Sequence, residues 1–139
     1  RLAYMRSQLD RDVNNIPSDR NVKQHFHGIS INLYYDKLSF LSEFNTYERP
    51  NTDITVKTNM QSIGYNINKI TPHITRSELK QSINTSGDEY HYTNSIGIRW
   101  DYKPNIALKI QYDKTIDKGI NIPVLGDSEL ISLGADVIF

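Results

Sequence analysis

The last nine residues of the chain, 131–139, carry apolar side chains at every second position, and the positions between them hold Ser132, Gly134, Asp136 and Ile138. Successive side chains of a β-strand point to opposite faces, so this period of two predicts a strand with one apolar face. A half-buried strand of a soluble sheet and a strand of a membrane barrel share this pattern. The apolar face carries Ile131, Leu133, Ala135, Val137 and Phe139. The segment therefore predicts β-structure, and the rest of the chain must indicate the environment.

The same alternation recurs upstream and predicts about eight strands. It is unbroken in 106–113, where every second residue from Ile106 to Tyr112 is apolar and the residues between them are mostly polar. Pro72 has no backbone N–H to donate, which predicts a place near the start of its strand or at a bulge. The predicted strands are 2–9, 28–35, 38–45, 61–67, 70–75, 91–102, 106–113 and 131–139.

The connections between these segments alternate between short and long. Short turns are predicted at about 35–37, 66–69 and 103–105, and long polar loops at about 10–24, 46–53, 77–90 and 114–127. Short turns on one rim and long loops on the other are typical of outer-membrane barrels, whose short turns are periplasmic and whose long loops are external. The layout therefore favours a barrel with Phe139 on the periplasmic side.

Composition excludes several classes of protein. No segment approaches the roughly 18 consecutive apolar residues that a spanning helix needs, and the mean hydropathy is -0.56. The 16 basic and 16 acidic residues cancel, so nothing indicates a nucleic-acid partner. The chain has no cysteine, which excludes disulfides and Cys-ligated zinc. It begins at Arg1 without a signal-peptide pattern, and we expect this start to be mature or truncated.

Three segments of the chain resemble the Gram-negative outer-membrane porin family. They are SIGYNINKITPHITRS (62–77), GIRWDYKPNIALKIQYDK (97–114) and LISLGADVIF (130–139), which look like an internal hairpin and the C-terminal end of such proteins. The resemblance implies an all-β fold, an antiparallel transmembrane β-barrel of outer-membrane type with about eight strands in this chain. Residues 1–139 would be a single barrel domain or the C-terminal portion of a larger porin of about sixteen strands.

The resemblance also implies a function and a location. The family forms channels for passive diffusion of small hydrophilic solutes or ions across the bacterial outer membrane. No enzyme activity, cofactor, metal or nucleic acid is implied. The implied partners are outer-membrane lipid, the solutes, the barrel-assembly machinery through the C-terminal strand, and further copies of the chain in a homotrimer.

Strand parity then assigns candidate residues to two faces. Aromatic side chains beside the short turns, Trp100 and Tyr102 above all, indicate an interfacial girdle. The lipid-facing and girdle residues are Tyr35, Tyr65, Trp100, Tyr102, Tyr112 and Phe139. The pore-lining residues are Glu43, Asn45, Arg99, Asp101, Lys109, Gln111, Asp113 and Asp136.

The role of those charges stays open at this stage. In a wide lumen they would screen solutes through a transverse field. In a narrow barrel they would form interior ion pairs, for example Arg99 with Asp101 or Lys109 with Asp113.

Three other functions are compatible with the sequence. A complete eight-stranded barrel would act as anchor, adhesin or receptor through its external loops. A soluble, lipocalin-like barrel would place the apolar face inside. A membrane-embedded hydrolase would combine His91, Glu89 and a loop serine.

Two patterns imitate metal sites. The pair His25 and His27 lacks further ligands nearby, so a metal site is disfavoured. Residues Asp10, Asp12 and Asn14 imitate the start of a calcium loop, but the glycine and glutamate that such a loop needs at its sixth and twelfth positions are missing.

Overall fold

The structure, a computed structural model, describes residues 1–13, 16–83, 87–119 and 126–138. It contains eight antiparallel strands in one sheet, which confirms the predicted all-β fold and the number of strands. The strands are β1 (Leu2–Val13), β2 (Ile16–Tyr35), β3 (Leu38–Arg49), β4 (Ile54–Tyr65), β5 (Ile70–Ile83), β6 (Gly87–Lys103), β7 (Ile106–Asp117) and β8 (Ser128–Val137). Among the described residues, a single 3₁₀ turn, Pro50–Thr52, lies between β3 and β4. No helix in these ranges is long and apolar enough to cross a membrane.

Each strand pairs with its neighbours in sequence, from β1 to β8. The β5–β6 ladder, for example, runs without a break from Ile70 opposite Trp100 to Ile83 opposite Gly87. Within the described ranges, β1 pairs only with β2 and β8 only with β7, so the sheet is open and has two free edges.

The short connections lie where the sequence predicts them. Asp36 and Asn68 adopt left-handed backbone conformations, with φ of 52° and 60°, in the turns that follow β2 and β4. Aspartate and asparagine tolerate this conformation better than most residues. Pro72 is the third residue of β5, as predicted for a residue that cannot donate to the ladder.

The prediction of long polar loops is wrong for the described residues of 10–24 and 77–90, which are strand, and for half of 46–53. Of the described residues in 114–127, only 114–117 are strand. Strand β3 continues to Arg49, β5 to Ile83 and β7 to Asp117, and β2 and β6 begin well before the predicted strands. These extensions carry polar side chains on both faces, so they lack the alternation that identifies a half-apolar strand. The backbone ladder nevertheless pairs them, because hydrogen bonding between strands does not depend on the side chains.

The register gives the sheet two distinct faces. One face, which we call the apolar face, carries a band of apolar side chains at the short-turn end, interrupted in β3 by the buried Ser42. Of the residues whose burial is described, only Val22 and Ala107 are buried hydrophobic residues, so the sheet is a single layer without a core. The apolar band comprises Ile29, Ile31, Leu33, Tyr35, Leu38, Phe40, Phe44, Ile63, Tyr65, Ile70, Pro72, Ile74, Ile96, Ile98, Trp100, Ile106, Leu108, Ile110, Tyr112, Ile131, Leu133, Ala135 and Val137.

The end of the apolar band away from the short turns, its upper limit, is level from β7 to β4. It lies there in one row of paired residues, Tyr112, Ile96, Ile74 and Ile63. In β3 and β2 the band continues four residues beyond this row, to Phe44 and Ile29.

Candidate functional site: the polar face of the sheet

The eight residues predicted to line a pore all lie on the face opposite the apolar band, which we call the polar face. In the β6–β7 ladder, Arg99 pairs with Lys109, and Ala107 separates Asp101 from Asp136 in the next row. Glu43 and Asn45 project from β3 on the same side of the sheet as Met60 and Thr58 of β4. The remaining two, Gln111 and Asp113, follow Lys109 at alternate positions of β7.

Four of these residues form a cluster of ion pairs across β6, β7 and β8. Arg99 Nε lies 2.8 Å from Asp101 Oδ1, and Arg99 Nη1 lies 3.0 Å from Asp136 Oδ2. Lys109 Nζ lies 2.7 Å from the same Asp136 oxygen. The four side chains are 40% to 48% exposed. Exposed pairs of this kind contribute little to stability, so the cluster presents two cations and two anions to solvent.

Of the two ion pairs that the sequence suggested, the structure contains Arg99–Asp101 but not Lys109–Asp113. Arg99 does bind Asp101, although both belong to β6. Lys109 binds Asp136 of β8, and Asp113 instead accepts a hydrogen bond of 2.8 Å from Gln111 Nε2. The ladder explains the difference, because Lys109 faces Gly134, whose missing side chain leaves the neighbouring Asp136 within reach.

His73 joins this site although the sequence analysis did not select it. Its ring lies over Gly97 of the adjacent strand, and Nε2 is 3.3 Å from Gln111 Oε1 on the strand beyond. A Cβ atom on Gly97 would lie 2.5 Å from His73 Nε2. The signal was present in the parity of β5, since Ile70 and Ile74 on the apolar face place His73 on the polar face.

A concavity of about 360 Å³ opens beside this histidine. Its walls come from six consecutive strands, β2 to β7, so the polar face is concave there. Glycines on this face make room for the neighbouring side chains, as is common where a sheet bends. The lining includes Ser39, Gly64, His73, Arg99, Lys109 and Gln111.

Substitution of Gly97 by alanine tests this packing. We expect Gly97→Ala to lower the free energy of unfolding by about 1–3 kcal/mol, because the new methyl group displaces the His73 ring and approaches the Ile110 carbonyl oxygen at 3.1 Å. In a His73→Ala background, Gly97→Ala should lower the free energy of unfolding by less, with a difference of at least about 0.5 kcal/mol. Urea-induced unfolding measures both losses.

Gly134→Ala is the matched control on the polar face. Its added Cβ would meet only Lys109 Cβ, at 3.8 Å, which is an ordinary contact. Equal losses for Gly97→Ala with and without His73 would contradict the proposed packing.

The predicted girdle aromatics are distributed over both limits of the apolar band. Tyr35, Tyr65 and Trp100 lie at its short-turn limit, and Tyr102 packs edge-on against Trp100 with ring centroids 5.2 Å apart. Tyr112 lies instead at the upper limit, opposite Ile96 and Ile131. Phe139 lies outside the described residues.

The structure also describes most residues of the other sites that the sequence suggested. Within the described residues, no group of three or more His, Asp and Glu side chains could hold a metal ion. His91 Nδ1 lies 3.5 Å from Glu89 Oε1 on the polar face. Asn14 and the side chain of Asp12, from the predicted imitation of a calcium loop, lie outside what the structure describes.

No protein-family model, curated protein or solved structure matches the chain.

Proposed function

We propose that this chain forms part of a porin-like channel of the bacterial outer membrane, which admits small hydrophilic solutes or ions by passive diffusion. The observation that carries this proposal is the contrast between the two faces of a single-layer sheet. One face presents a broad apolar band, and the other presents half-exposed charges. A transmembrane barrel needs this division, since lipid surrounds it and water fills it.

The apolar band supports a lipid environment. Ile98, for example, is 44% exposed and Leu133 is 80% exposed. Apolar patches of this extent are rare on soluble monomers. In β2 the band runs from Ile29 to Tyr35, about 20 Å along the strand, which approaches the ~25 Å apolar belt of outer-membrane barrels.

The polar face supports a wide barrel more than a narrow one. An eight-stranded barrel has an interior that side chains fill. Here the polar face carries many small residues, among them Ser62, Gly64, Thr75, Ser95 and Gly97. In the part of the chain that the structure describes, the eight strands also leave both edges of the sheet unpaired. This arrangement fits an arc of a larger barrel, in which further strands pair with β1 and β8.

The proposed partners follow from these surfaces. Outer-membrane lipid would contact the apolar band, and solutes would pass along the polar face. The barrel-assembly machinery would engage β8, and a homotrimer is the assembly that the porin resemblance implies. The paired charges Arg99–Asp136 and Lys109–Asp136 would give the lumen a local transverse field, which favours small dipolar or ionic solutes.

One observation favours a second function. Strand β2 extends thirteen residues beyond Ile29, the upper limit of its band, to Ile16. A sheet that projects so far beyond the membrane offers a recognition surface. If β1 and β8 instead pair with each other, the chain would form a narrow barrel that serves as an anchor, adhesin or receptor.

Conductance across a planar lipid bilayer tests the proposed channel. The native protein should be extracted from outer membranes in non-ionic detergent and added at single-molecule dilution. Stable steps of conductance, absent after heat unfolding, are the expected result. Folded protein that inserts, as judged by heat-modifiable gel migration, but gives no steps would contradict the channel and favour the anchor.

A further inference from the structure

The concavity on the polar face follows a single row of paired residues across six strands. The row comprises Tyr34, Ser39, Gly64, His73, Gly97 and Gln111, each directly opposite the next in the ladder. All of them except Gly97 line the concavity. Ser39 and Gly64 are small and lie between Tyr34 and His73. Three strand spacings of ~4.8 Å put the backbones of Tyr34 and His73 about 14 Å apart along the sheet. The hollow therefore has a ring at either end and small residues between them.

Hydroxyl and amide groups make up much of the lining. They belong to Asn32, Tyr34, Ser39, Ser62, Thr71 and Gln111. Each of these groups can both donate and accept a hydrogen bond. Asn32 Nδ2 donates to Tyr34 Oη at 3.2 Å, and His73 Nε2 lies 3.3 Å from Gln111 Oε1. These contacts position the groups but use only part of their capacity, since the Tyr34 hydroxyl keeps its own proton to donate. The lining therefore suits a ligand that carries several hydroxyl groups of its own.

The charges beside the concavity cancel one another. Arg99 and Lys109 line it, and no carboxylate among the described residues does. Both cations are nevertheless bound by carboxylates, since Arg99 lies 2.8 Å from Asp101 and 3.0 Å from Asp136. Lys109 Nζ lies 2.7 Å from the same Asp136 oxygen. Two cations and two anions leave no net charge, so this cluster does not favour an ionic ligand over a neutral one.

Tyr34 presents an exposed aromatic ring at one end of the concavity. It is 75% exposed, and it lies on the polar face. The adjacent Tyr35 is 82% exposed but belongs to the apolar band, where the proposed function gives its ring a lipid environment. No such environment explains the exposure of Tyr34. A tyrosine combines an apolar ring with a polar tip. A sugar ring is complementary to it, because its faces carry C–H groups and its rim carries hydroxyl groups.

We propose that this concavity binds a neutral carbohydrate, with a face of one sugar ring against Tyr34 and its hydroxyl groups bonded to the amides and hydroxyls of the lining. The volume of about 360 Å³ lies within the ~300–1,000 Å³ of small-molecule sites. The inference names a class of solute for the channel. That role rests on the proposed function, whereas binding of the sugar to the concavity does not require that any solute cross the sheet.

Saturation-transfer NMR tests the binding at equilibrium, with the full chain in a non-ionic detergent that has no sugar headgroup. The probes are four neutral sugars, D-glucose, D-galactose, D-mannose and N-acetyl-D-glucosamine. We expect at least one of them to bind. Tyr34→Ala should weaken its binding at least fivefold, and Tyr34→Phe, which keeps the ring, should retain most of it. Tyr35→Ala is the matched control, because it removes a similarly exposed ring from the adjacent position on the opposite face. Its binding should equal that of the parent.

Charged sugars and conductance complete the test. D-glucuronate and D-glucosamine should bind no more tightly than D-glucose, and tenfold tighter binding of either would overturn a neutral site. Absence of binding by all four neutral sugars, or equal weakening by Tyr34→Ala and Tyr35→Ala, would also overturn the proposal. Conductance separates this inference from the channel. A protein that conducts but binds no sugar contradicts the inference alone, and one that binds sugar through Tyr34 but gives no conductance steps contradicts the channel alone.

Discussion

Replacing Ile98 by lysine is expected to destabilise the protein folded in a lipid bilayer by about 2–4 kcal/mol, the typical cost of a lysine at the midplane of a barrel's lipid-facing surface. Ile98 is the central residue of the three that β6 contributes to the apolar band, and it is 44% exposed. Its neighbours in the same row, Pro72 and Ile110, are also apolar, so they offer the ammonium group no partner. The measurement is the urea dependence of folding into phosphatidylcholine vesicles, followed by heat-modifiable gel migration.

Ser95→Lys is the matched control for this substitution. Ser95 lies three residues earlier in β6, on the polar face and directly opposite Asp113. A lysine there would face water and a carboxylate, so we expect a change within about 0.5 kcal/mol. If Ile98→Lys costs no more than Ser95→Lys, the apolar band does not face lipid. A soluble protein with improved solubility after Ile98→Lys would contradict the membrane barrel altogether.

Reversal of the charge at Lys109 is expected to shift ion preference toward cations about fivefold. Two unit charges in water interact by about 1 kcal/mol at 4 Å, and the energy halves when the distance doubles. Since Lys109→Glu changes the charge by two units, an ion passing about 8 Å away gains about 1 kcal/mol. The change also frees Asp136 from the ammonium that lies 2.7 Å from it. The reversal potential in a salt gradient measures this preference.

Lys114→Glu applies the same reversal to the opposite face of the same strand. Its ammonium lies on the apolar face, beside Glu129, and would not approach a solute in the lumen. We therefore expect its reversal potential to match that of the parent. If Lys109→Glu channels still conduct but keep the ion preference of the parent, Lys109 does not line the lumen.

Sequence reasoning was most successful where the pattern is local. The alternation from Ile106 to Tyr112 identified both the strand and its two faces, and the register agrees with it at every position. Turn positions were equally local, since Asp36 and Asn68 tolerate the left-handed conformations that they adopt. All eight candidate pore residues were assigned to one face by parity alone. Their role in a lumen, and the lipid contact of the aromatics, stay predictions.

Sequence reasoning failed where the two faces of a strand have the same polarity. The segment 77–83 was predicted to be loop, yet it forms the second half of β5 and pairs with β4 and β6. Nothing in its alternation distinguishes strand from loop, because both sides carry polar groups. Only the ladder, which joins residues far apart in sequence, identifies it as strand.

The amino-acid sequence by itself determined the period of two, the side of the sheet on which each residue lies, and the short turns, because all three depend on neighbouring residues. The tertiary structure decided which strands pair and in which register. That choice brought Asp136 to Arg99 across 37 positions, placed His73 over Gly97, and set Lys57 opposite Lys80. Cross-strand partners of this kind follow from backbone hydrogen bonds between distant segments. They therefore cannot be inferred from the pattern within one segment.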